Sequence, residues 1–345
     1  MRTKKYNPNK VSSIEDVARL AGVSISTVSR VINKSPSVKE KNRKKVLEIV
    51  KQLHFQPSVS AQRLATGKSN VVALVIPRYE GIFYSFYALE LIRGIGTLTA
   101  ALKLDLLLHL TDTRASLNLK GVGGVIFADI ISNRHQLEEA LECGIPTIVI
   151  NNCVEDLDVS CIAVDNIGGA MSAVEYLIGM GHKKIAHIAG DLITQAASHR
   201  LEGYRRAMKK NKLPINESYV IKTDYSRGQA RQAAERLLKM SEPPTAIFVA
   251  SDSMALEVMT VARELRIRIP ENLSIVGFDD NPSGLYGPVA LTTVRQPLVR
   301  MSQDSVKELN SLMNLAGKKP QIKKIFLPTE FVIRESCHAI VPSKG

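Results

Sequence analysis

The 345-residue sequence is poor in cysteine and gives no sign of a metal site. It has four cysteines with no Cys-x-x-Cys pair and no neighbouring histidine cluster, which argues against a zinc site and a disulfide framework. These cysteines are Cys143, Cys153, Cys161 and Cys337. We therefore expect buried, reduced thiols and no cofactor.

Common catalytic fingerprints are also missing. No Gly-x-Ser-x-Gly, His-Glu-x-x-His or Gly-x-Gly-x-x-Gly pattern occurs, and the seven histidines are scattered along the chain. The neighbouring carboxylates Asp279 and Asp280 follow a predicted strand, where adjacent side chains point in different directions. The sequence therefore favours a binding protein over an enzyme.

No run of about 18 apolar residues occurs, and the basic start at residues 1–10 is not followed by an apolar signal region. Hydrophobic residues make up 45% of the chain and charged residues 23%, which is typical of a globular protein with two or three domains. We expect no membrane partner and a cytoplasmic location.

Residues 13–33, SIEDVARLAGVSISTVSRVIN, predict two short helices joined by a tight turn. Ser13 can cap the first helix with Asp16, Gly22 can end it, and Ser24 can cap the second. The second helix has a polar face that suits contacts with base edges and phosphates, formed by Ile25, Ser26, Ser29 and Arg30. An ordinary helical hairpin is the alternative, because alanine and valine at this spacing also make a plain core.

The distribution of charge favours the DNA-binding interpretation. Residues 1–70 contain 15 Lys/Arg and 4 Asp/Glu, a net charge of +11 out of +13 for the whole chain. A basic region confined to one segment indicates a polyanionic partner. Nucleic acid fits better than a membrane surface, because no strongly apolar face accompanies the basic residues.

A third helix and a linker follow this hairpin. Ser37 and Glu40 have the spacing of a capping box, and Val46, Ile49, Val50 and Leu53 form an apolar stripe. We expect Pro57 to stop this helix. Residues 58–68 then predict a linker that can become helical when the protein binds DNA.

From residue 71 onwards, apolar runs alternate with helical patterns. This alternation predicts two parallel sheets covered on both faces by helices. The predicted strands span residues 71–76, 104–110, 122–127, 147–150, 185–189, 219–223, 246–250, 274–278 and 291–294. The predicted helices include residues 169–181, 198–210, 228–240 and 253–265.

Several predicted strands end in polar residues, where ligands bind in such folds. These residues are Asn151, Asp191, Ser251, Asp252, Asp279 and Asp280. Amide, hydroxyl and carboxylate groups around a cleft suit a polyhydroxylated ligand, and Tyr225 is a candidate ring to cover a sugar face. We expect Asp252 and Asp280 to be helix caps, whereas Asp279 stays open between a cap and a ligand contact.

Two N-terminal segments, IEDVARLAGVSISTVSRVIN and VLEIVKQLHFQPSVSAQRLATGKSN, resemble the DNA-binding head and hinge of the lactose/galactose repressor (LacI/GalR) family. The later segments GHKKIAHIAGD, HRLEGYRRAM, PTAIFVASDSMALEVM, LSIVGFDDN, LTTVRQP and LPTEFVIRES resemble family segments in family order. The resemblance implies an all-α helix-turn-helix head at 1–56, a hinge helix at 57–69 and an α/β core at 70–345. It also implies that this core has two flavodoxin-like parallel-sheet subdomains, as in type I periplasmic binding proteins. Their expected limits are about 70–166 with 298–325, and about 167–297 with 326–336.

The resemblance further implies a homodimeric transcriptional regulator, a repressor on a pseudo-palindromic double-stranded operator, whose affinity depends on a small carbohydrate-like effector. It places Ile25, Ser26 and Arg30 in the major groove, with Ser13, Ser24, Thr27, Ser29 and Asn33 in support. It places the hinge residues Ser58, Ala61 and Leu64 in the minor groove, with Leu64 as an apolar wedge. The implied effector contacts are Asn151, Arg200, Tyr225, Ser251 and Asp279, with Phe83, Tyr84 and Phe86 as aromatic candidates beside Tyr87.

The sequence departs from the family pattern on the effector side. Residues 112–124 are short, which predicts a truncated helix, whereas residues 79–87 are long and aromatic. Ser251 stands where asparagine is common, and Lys39 stands where a capping serine is common, with Ser37 as a possible substitute cap. Control by a phosphorylated partner protein or by a purine stays open as an alternative. A plain sugar-binding or sugar-processing protein is a more remote one.

Overall fold

The computed structural model describes residues 13–32, 35–55, 69–78, 82–112, 115–315 and 320–340. The chain divides into two compact units, Met1–Ser69 and Asn70–Gly345, termed the head and the core below. The predicted DNA contacts Asn33, Ser58, Ala61 and Leu64 lie outside the described residues. No described helix is long and apolar enough to cross a membrane.

Three helices make up the described part of the head: α1 (Ile14–Ala21), α2 (Ile25–Ile32) and α3 (Glu40–Gln52). Ser13 and Asp16 form the predicted capping box, and Gly22 ends α1 in the left-handed conformation at φ 61°. The Ser24 hydroxyl accepts a hydrogen bond from the Thr27 N–H at 3.2 Å and so caps α2. The helices share one apolar core, formed by Val17, Ala18, Ala21, Val28, Val31, Val46 and Phe55.

The start and the end of α3 differ from the prediction. Lys39 occupies the N-cap without a side-chain hydrogen bond, and the Ser37 hydroxyl pairs instead with that of Ser35 at 2.9 Å. The helix begins two residues later than a Ser37 cap requires, with Lys39 at the N-cap position, so the predicted capping box is wrong. It ends at Gln52 with Leu53 as C-cap, before Pro57.

The described residues of the core form two parallel sheets and one antiparallel pair of strands. The six-stranded sheet has the order β11-β5-β4-β3-β1-β2, the four-stranded sheet has the order β7-β6-β8-β9, and β10 pairs with β12. The strands are β1 Val71–Pro77, β2 Asp105–Thr111, β3 Gly124–Ala128, β4 Thr147–Ile150, β5 Ser160–Val164, β6 Ile185–Ala189, β7 Val220–Lys222, β8 Ala246–Val249, β9 Ser274–Val276, β10 Thr293–Arg295, β11 Lys324–Leu327 and β12 Glu330–Val332.

Helices cover both faces of each sheet. They are α4 Phe86–Ala101, α5 Arg134–Glu142, α6 Asn166–Gly179, α7 Gln195–Lys210, α8 Arg227–Leu238, α9 Asp252–Glu264 and α10 Leu298–Met313. All seven residues of β1 are buried, because alternate side chains enter two different clusters. Leu74 packs with Leu91 of α4 and Met301 of α10, whereas Val75 packs with Leu137 of α5. The predicted fold class of two doubly covered parallel sheets is confirmed.

The nine predicted strands are all present, with ends shifted by up to a few residues. The sequence patterns do not predict β5, β11 and β12. The short segment predicts a truncated helix between β2 and β3, but the described residues of this connection, 112 and 115–123, contain no helix. Instead, Leu117, Leu119 and Val122 of this connection pack against the sheet.

The cysteines do not behave as predicted. Cys153 and Cys161 form a disulfide bond, Cys143 is exposed, and Cys337 is partly buried. The prediction of four buried, reduced thiols is therefore wrong. The bond is possible because β4 and β5 are neighbouring parallel strands, so the loop after β4 returns past the start of β5.

Candidate functional site

The head presents a hydroxyl-rich surface at the start of α2. Ile25 is 48% exposed, and Ser26 and Arg30 are also exposed, whereas Thr27 and Ser29 are half-buried. The Ser24 hydroxyl lies 2.9 Å from the hydroxyls of both Ser26 and Thr27. This surface offers a guanidinium, several hydroxyls and one apolar side chain, which can contact base edges and phosphate oxygens.

The carboxyl end of the six-stranded sheet brings two polar residues together. Ala128 at the end of β3 is paired with Ile150 at the end of β4, so the next residues, Asp129 and Asn151, are neighbours. The Asn151 Nδ2 donates to Asp129 Oδ1 at 2.9 Å. Both residues have left-handed backbones, with φ of 63° and 61°, which turn the chain away from the strands.

Burial governs the chemistry of this pair. It raises the pKa of Asp129, although hydrogen bonds from the Tyr87 hydroxyl and the Asn151 amide, and the charge of Arg200, act in the opposite direction. Asn151 is 6% exposed, and its Oδ1 is buried and accepts no hydrogen bond from the part of the chain that the structure describes. The pair therefore holds a desolvated carboxylate beside an open amide oxygen.

Arg200 of α7 is the buried cation at the edge of the four-stranded sheet. Its Nε donates to Asn166 Oδ1 at 2.8 Å and its Nη1 to the Ala250 carbonyl at 2.6 Å. The guanidinium lies over the Phe278 ring, 3.8 Å from its centroid, and Nη1 is 3.9 Å from Asp279 Oδ1. Two hydrogen bonds and one ring fix the direction of this positive charge.

Asp279 faces Arg200 from the loop after β9. Its Oδ1 accepts a hydrogen bond from Gln296 Nε2 at 2.6 Å, and its backbone has a φ of 129°. Burial raises the pKa of Asp279 to about 6, against the opposing effect of Arg200. The carboxylate therefore ionises near neutral pH and lacks full compensation from the protein.

Asp252 and Asp280 are not helix caps, so that prediction is wrong. Ser251 is the N-cap of α9, where its hydroxyl accepts from the Met254 N–H. Asp252 is fully buried and accepts from the Asn281 N–H at 2.7 Å and from the Thr293 hydroxyl at 2.6 Å. Burial and the charge of Asp279 raise the pKa of Asp252 to about 7.

The second of these carboxylates, Asp280, makes ion pairs. It accepts from Arg295 Nε at 2.6 Å and from Arg334 Nη2 at 2.5 Å. These bonds join the loop after β9 to β10 and to the segment after β12. Asp280 therefore supports the frame around Asp279.

Tyr225 lies beside these charged groups, as its place after β7 predicts. Burial raises the pKa of its hydroxyl, and the charges of Asp279 and Asp129 act in the same direction. The charge of Arg200 and a hydrogen bond with the Thr194 side chain lower this pKa. A Cβ on Gly190 would lie 2.0 Å from the Tyr225 ring, so the ring needs glycine at that position. Residues from the edges of both sheets thus converge on one cleft.

The aromatic residues near the start of α4 divide into two groups. Phe83 and Tyr84 are 58% and 92% exposed, and Phe86 packs against the core of the six-stranded sheet. Tyr87, the fourth candidate, lies near Asp129, and its hydroxyl acts to lower the pKa of that carboxyl group. Asp129 and Gln296 are site residues that sequence reasoning missed; Asp129 had a detectable signal, because it directly follows β3.

A side-chain bridge also joins the two halves of the core, of which one is built on the six-stranded sheet and the other on the four-stranded sheet. Gln195 at the start of α7 accepts from the Cys153 N–H at 2.8 Å and donates to the Cys153 carbonyl at 3.1 Å. Cys153 belongs to the loop after β4, two residues beyond Asn151. The bridge therefore ties the loop that carries Asn151 to the helix that carries Arg200.

Comparisons with known proteins place both units. A model described as "Bacterial regulatory proteins, lacI family" matches residues 13–58, and one described as "Periplasmic binding protein-like domain" matches residues 174–337. The chain is 34% identical over 334 residues to catabolite control protein A of Priestia megaterium, covering 94% of this chain and 98% of that protein.

Two solved structures extend the similarity to the full length. The lac repressor dimer bound to operator and the anti-inducer ONPF matches with a TM-score of 0.84 at 26% identity, covering 96% of this chain and 100% of that chain. The complex of the transcriptional regulator CelR with cellobiose matches with a TM-score of 0.72 at 28% identity, covering 94% and 99% of the two chains.

Proposed function

Because the chain belongs to the lacI family of bacterial regulatory proteins, we infer that it is a transcriptional repressor whose operator affinity depends on a small carbohydrate-like effector. We propose that the head binds operator DNA and the cleft of the core binds the effector. Its relatives are transcriptional regulators, so we propose a binding protein without catalytic activity, acting in the cytoplasm.

For DNA recognition, we assign base contacts to Ile25, Ser26 and Arg30. All three are exposed at the surface of α2, and the head carries +11 of the chain's net charge of +13. We assign Ser13, Ser24, Thr27 and Ser29 to phosphate contacts or to the support of α2, and Asn33, Ser58, Ala61 and Leu64 stay predictions. We expect a homodimer on a pseudo-palindromic operator, because the similar lac repressor is a dimer bound to operator.

Sequence selection from random duplexes tests the DNA part. We expect wild-type protein to select one sequence, and Arg30→Ala to lose or change the bases selected in each half-site. Arg19→Ala is the matched control, because it removes the same charge from an exposed position on α1. It should weaken binding without changing the selected bases. The assignment fails if Arg30→Ala selects the wild-type sequence.

The effector part depends on one observation above all: hydrogen-bonding groups from both sheets converge on the same cleft. Asn151 and Asp129 come from the six-stranded sheet, whereas Arg200, Tyr225 and Asp279 come from the four-stranded sheet. A ligand that contacts both groups stabilises the closed arrangement of the two halves. We propose that this closure is the change that alters operator affinity.

Calorimetry and operator titration test this part together. We expect a neutral sugar to bind the full chain and to change operator affinity by about 5-fold to 150-fold, which is typical of allosteric coupling. Arg200→Ala and Asp279→Ala should abolish sugar binding, because each removes a whole polar side chain from the cleft, whereas Arg205→Ala, at a half-buried position five residues along the same helix, should not. Full sugar affinity in both cleft variants, or unchanged operator affinity with sugar bound, would contradict the proposal.

A further inference from the structure

We propose that the cleft selects effectors without negative charge, so that a neutral polyhydroxylated sugar binds and its phosphorylated or carboxylated counterpart is rejected. This inference rests on the proposed function, and it narrows the class of effector. It follows from which donors and acceptors around the cleft already make hydrogen bonds within the protein and which do not.

The two amide side chains of the cleft use their N–H groups within the protein, whereas their oxygens are open to a ligand. Asn151 gives its Nδ2 to Asp129, and Gln296 gives its Nε2 to Asp279. Each amide is 6% exposed and has a buried oxygen that no described residue hydrogen-bonds. Because a buried acceptor without a partner is costly, the best ligand is one that donates hydrogen bonds to these oxygens.

The carboxylates also require donors. Asp129 and Asp279 lie close enough to Tyr225 for both charges to act on its hydroxyl. The hydroxyls of a sugar can donate to carboxylate oxygens, as they can to the two amide oxygens. A phosphate or carboxylate group offers acceptors instead, and it adds a like charge in a site that water screens poorly.

The buried cation of the cleft does not reverse this preference. Arg200 commits two N–H groups to Asn166 and Ala250, and one face of its guanidinium lies on Phe278. The described cleft residues therefore include one arginine, Arg200, and two carboxylates, Asp129 and Asp279. When both carboxylates are ionised, the net charge of these three groups is negative. Burial already raises the pKa of Asp129 and Asp279, so their charges are not fully compensated before a ligand arrives.

Calorimetry of the full chain at about pH 7.5 with matched pairs of ligands tests the inference, since the Asp279 carboxylate is ionised there. The pairs are cellobiose with cellobionate, glucose with glucuronate and glucose 6-phosphate, and galactose with galacturonate. We expect the member that binds best to be neutral, and its anionic counterpart to bind at least about tenfold weaker.

Asp129→Asn keeps the shape of the site and replaces an ionisable carboxyl group by a neutral amide. We expect it to reduce the neutral-to-anionic affinity ratio by about tenfold, because a close charge pair contributes on that order. Asp156→Asn is the matched control: it removes a carboxylate from the same half of the core, at a position that is 68% exposed and paired with Arg134. Its ratio should equal that of the wild type.

Asp279→Asn provides a second charge removal if Asp129→Asn does not fold. An anionic ligand that binds as tightly as its neutral partner, or a ratio that neither cleft variant changes, would overturn the inference and leave the effector cleft intact. If no ligand of the panel binds, the proposed sugar site fails, and the inference fails with it.

Discussion

Replacing Arg200 by methionine tests the central role of this side chain in the core. The change removes the hydrogen bonds to Asn166 and Ala250 and the charge opposite Asp279, but keeps an apolar contact with Phe278. Two hydrogen bonds to a charged group contribute about 1.5–3 kcal/mol each. Their loss also leaves a buried carboxylate without its cation, so we expect a loss of about 3–5 kcal/mol in unfolding free energy.

Urea unfolding followed by circular dichroism measures this loss, since the sequence has no tryptophan for fluorescence. Arg205→Met is the matched control on the same helix, because Arg205 is 43% exposed and makes a surface ion pair with Glu217 at 3.0 Å. We expect that control to lose about 1 kcal/mol or less. If Arg200→Met and Arg205→Met are equally stable, the buried network around Arg200 does not stabilise the core as described.

Three further changes have defined outcomes. Ser13→Ala removes the α1 capping box, so calorimetry of the full chain should show the head less stable by about 1 kcal/mol, whereas an unchanged transition would contradict the cap. Replacing Cys153 and Cys161 by serine opens a short covalent loop, so urea unfolding without reductant should show an unfolding free energy lower by about 2–3 kcal/mol. Dithiothreitol should cause the same loss in the wild type, and equal stability of the reduced and oxidised wild type would refute this. The pKa of Asp252 is raised in the folded state to about 7, so the folded protein binds more protons than the unfolded chain and loses stability as pH rises towards 7. As the pH rises from about 5 to about 8, the unfolding free energy of Asp252→Asn should therefore increase by about 2–3 kcal/mol relative to that of the wild type. Parallel pH profiles of unfolding free energy for the two proteins would contradict the shift.

The strands that sequence reasoning predicts are those with long apolar runs, and the strands it misses depend on distant partners. β1 is apolar at every position and is recognisable alone. β11, by contrast, has three exposed residues out of four, and it becomes a strand by pairing with β5, more than 160 residues earlier in the chain. Local periodicity carries no information on such a pairing.

The cleft residues follow the same division. Asn151 and Asp279 are predictable, because polar residues after parallel strands gather at one edge of a sheet. Asp129 obeys this rule as well, but the predicted strand stops at residue 127, whereas β3 continues to Ala128 and brings Asp129 to the edge. Gln296 follows an edge strand in an antiparallel pair, so the rule does not apply to it.

The misassigned role of Asp252 has a similar physical cause. Serine and aspartate are both good N-cap residues, and Ser251 and Asp252 are adjacent, so local chemistry does not decide between them. The choice depends on Asn281 and Thr293, which supply the two hydrogen bonds that make a buried carboxylate tolerable at Asp252. Sequence positions so far apart meet only in the folded core.

The loop after β4 links ligand contact to the closure of the two halves. Asn151 supplies a buried, open amide oxygen to the cleft, and two residues later the Cys153 backbone makes two hydrogen bonds with Gln195 on the opposite half. The disulfide to Cys161 fixes the same loop to β5. A shift of the loop that breaks the Gln195 bridge therefore also moves Asn151 away from Asp129. In the function that we propose, ligand affinity and closure of the core consequently depend on the position of one short segment, and we expect a change at Gln195 to affect both without altering any group assigned to the ligand.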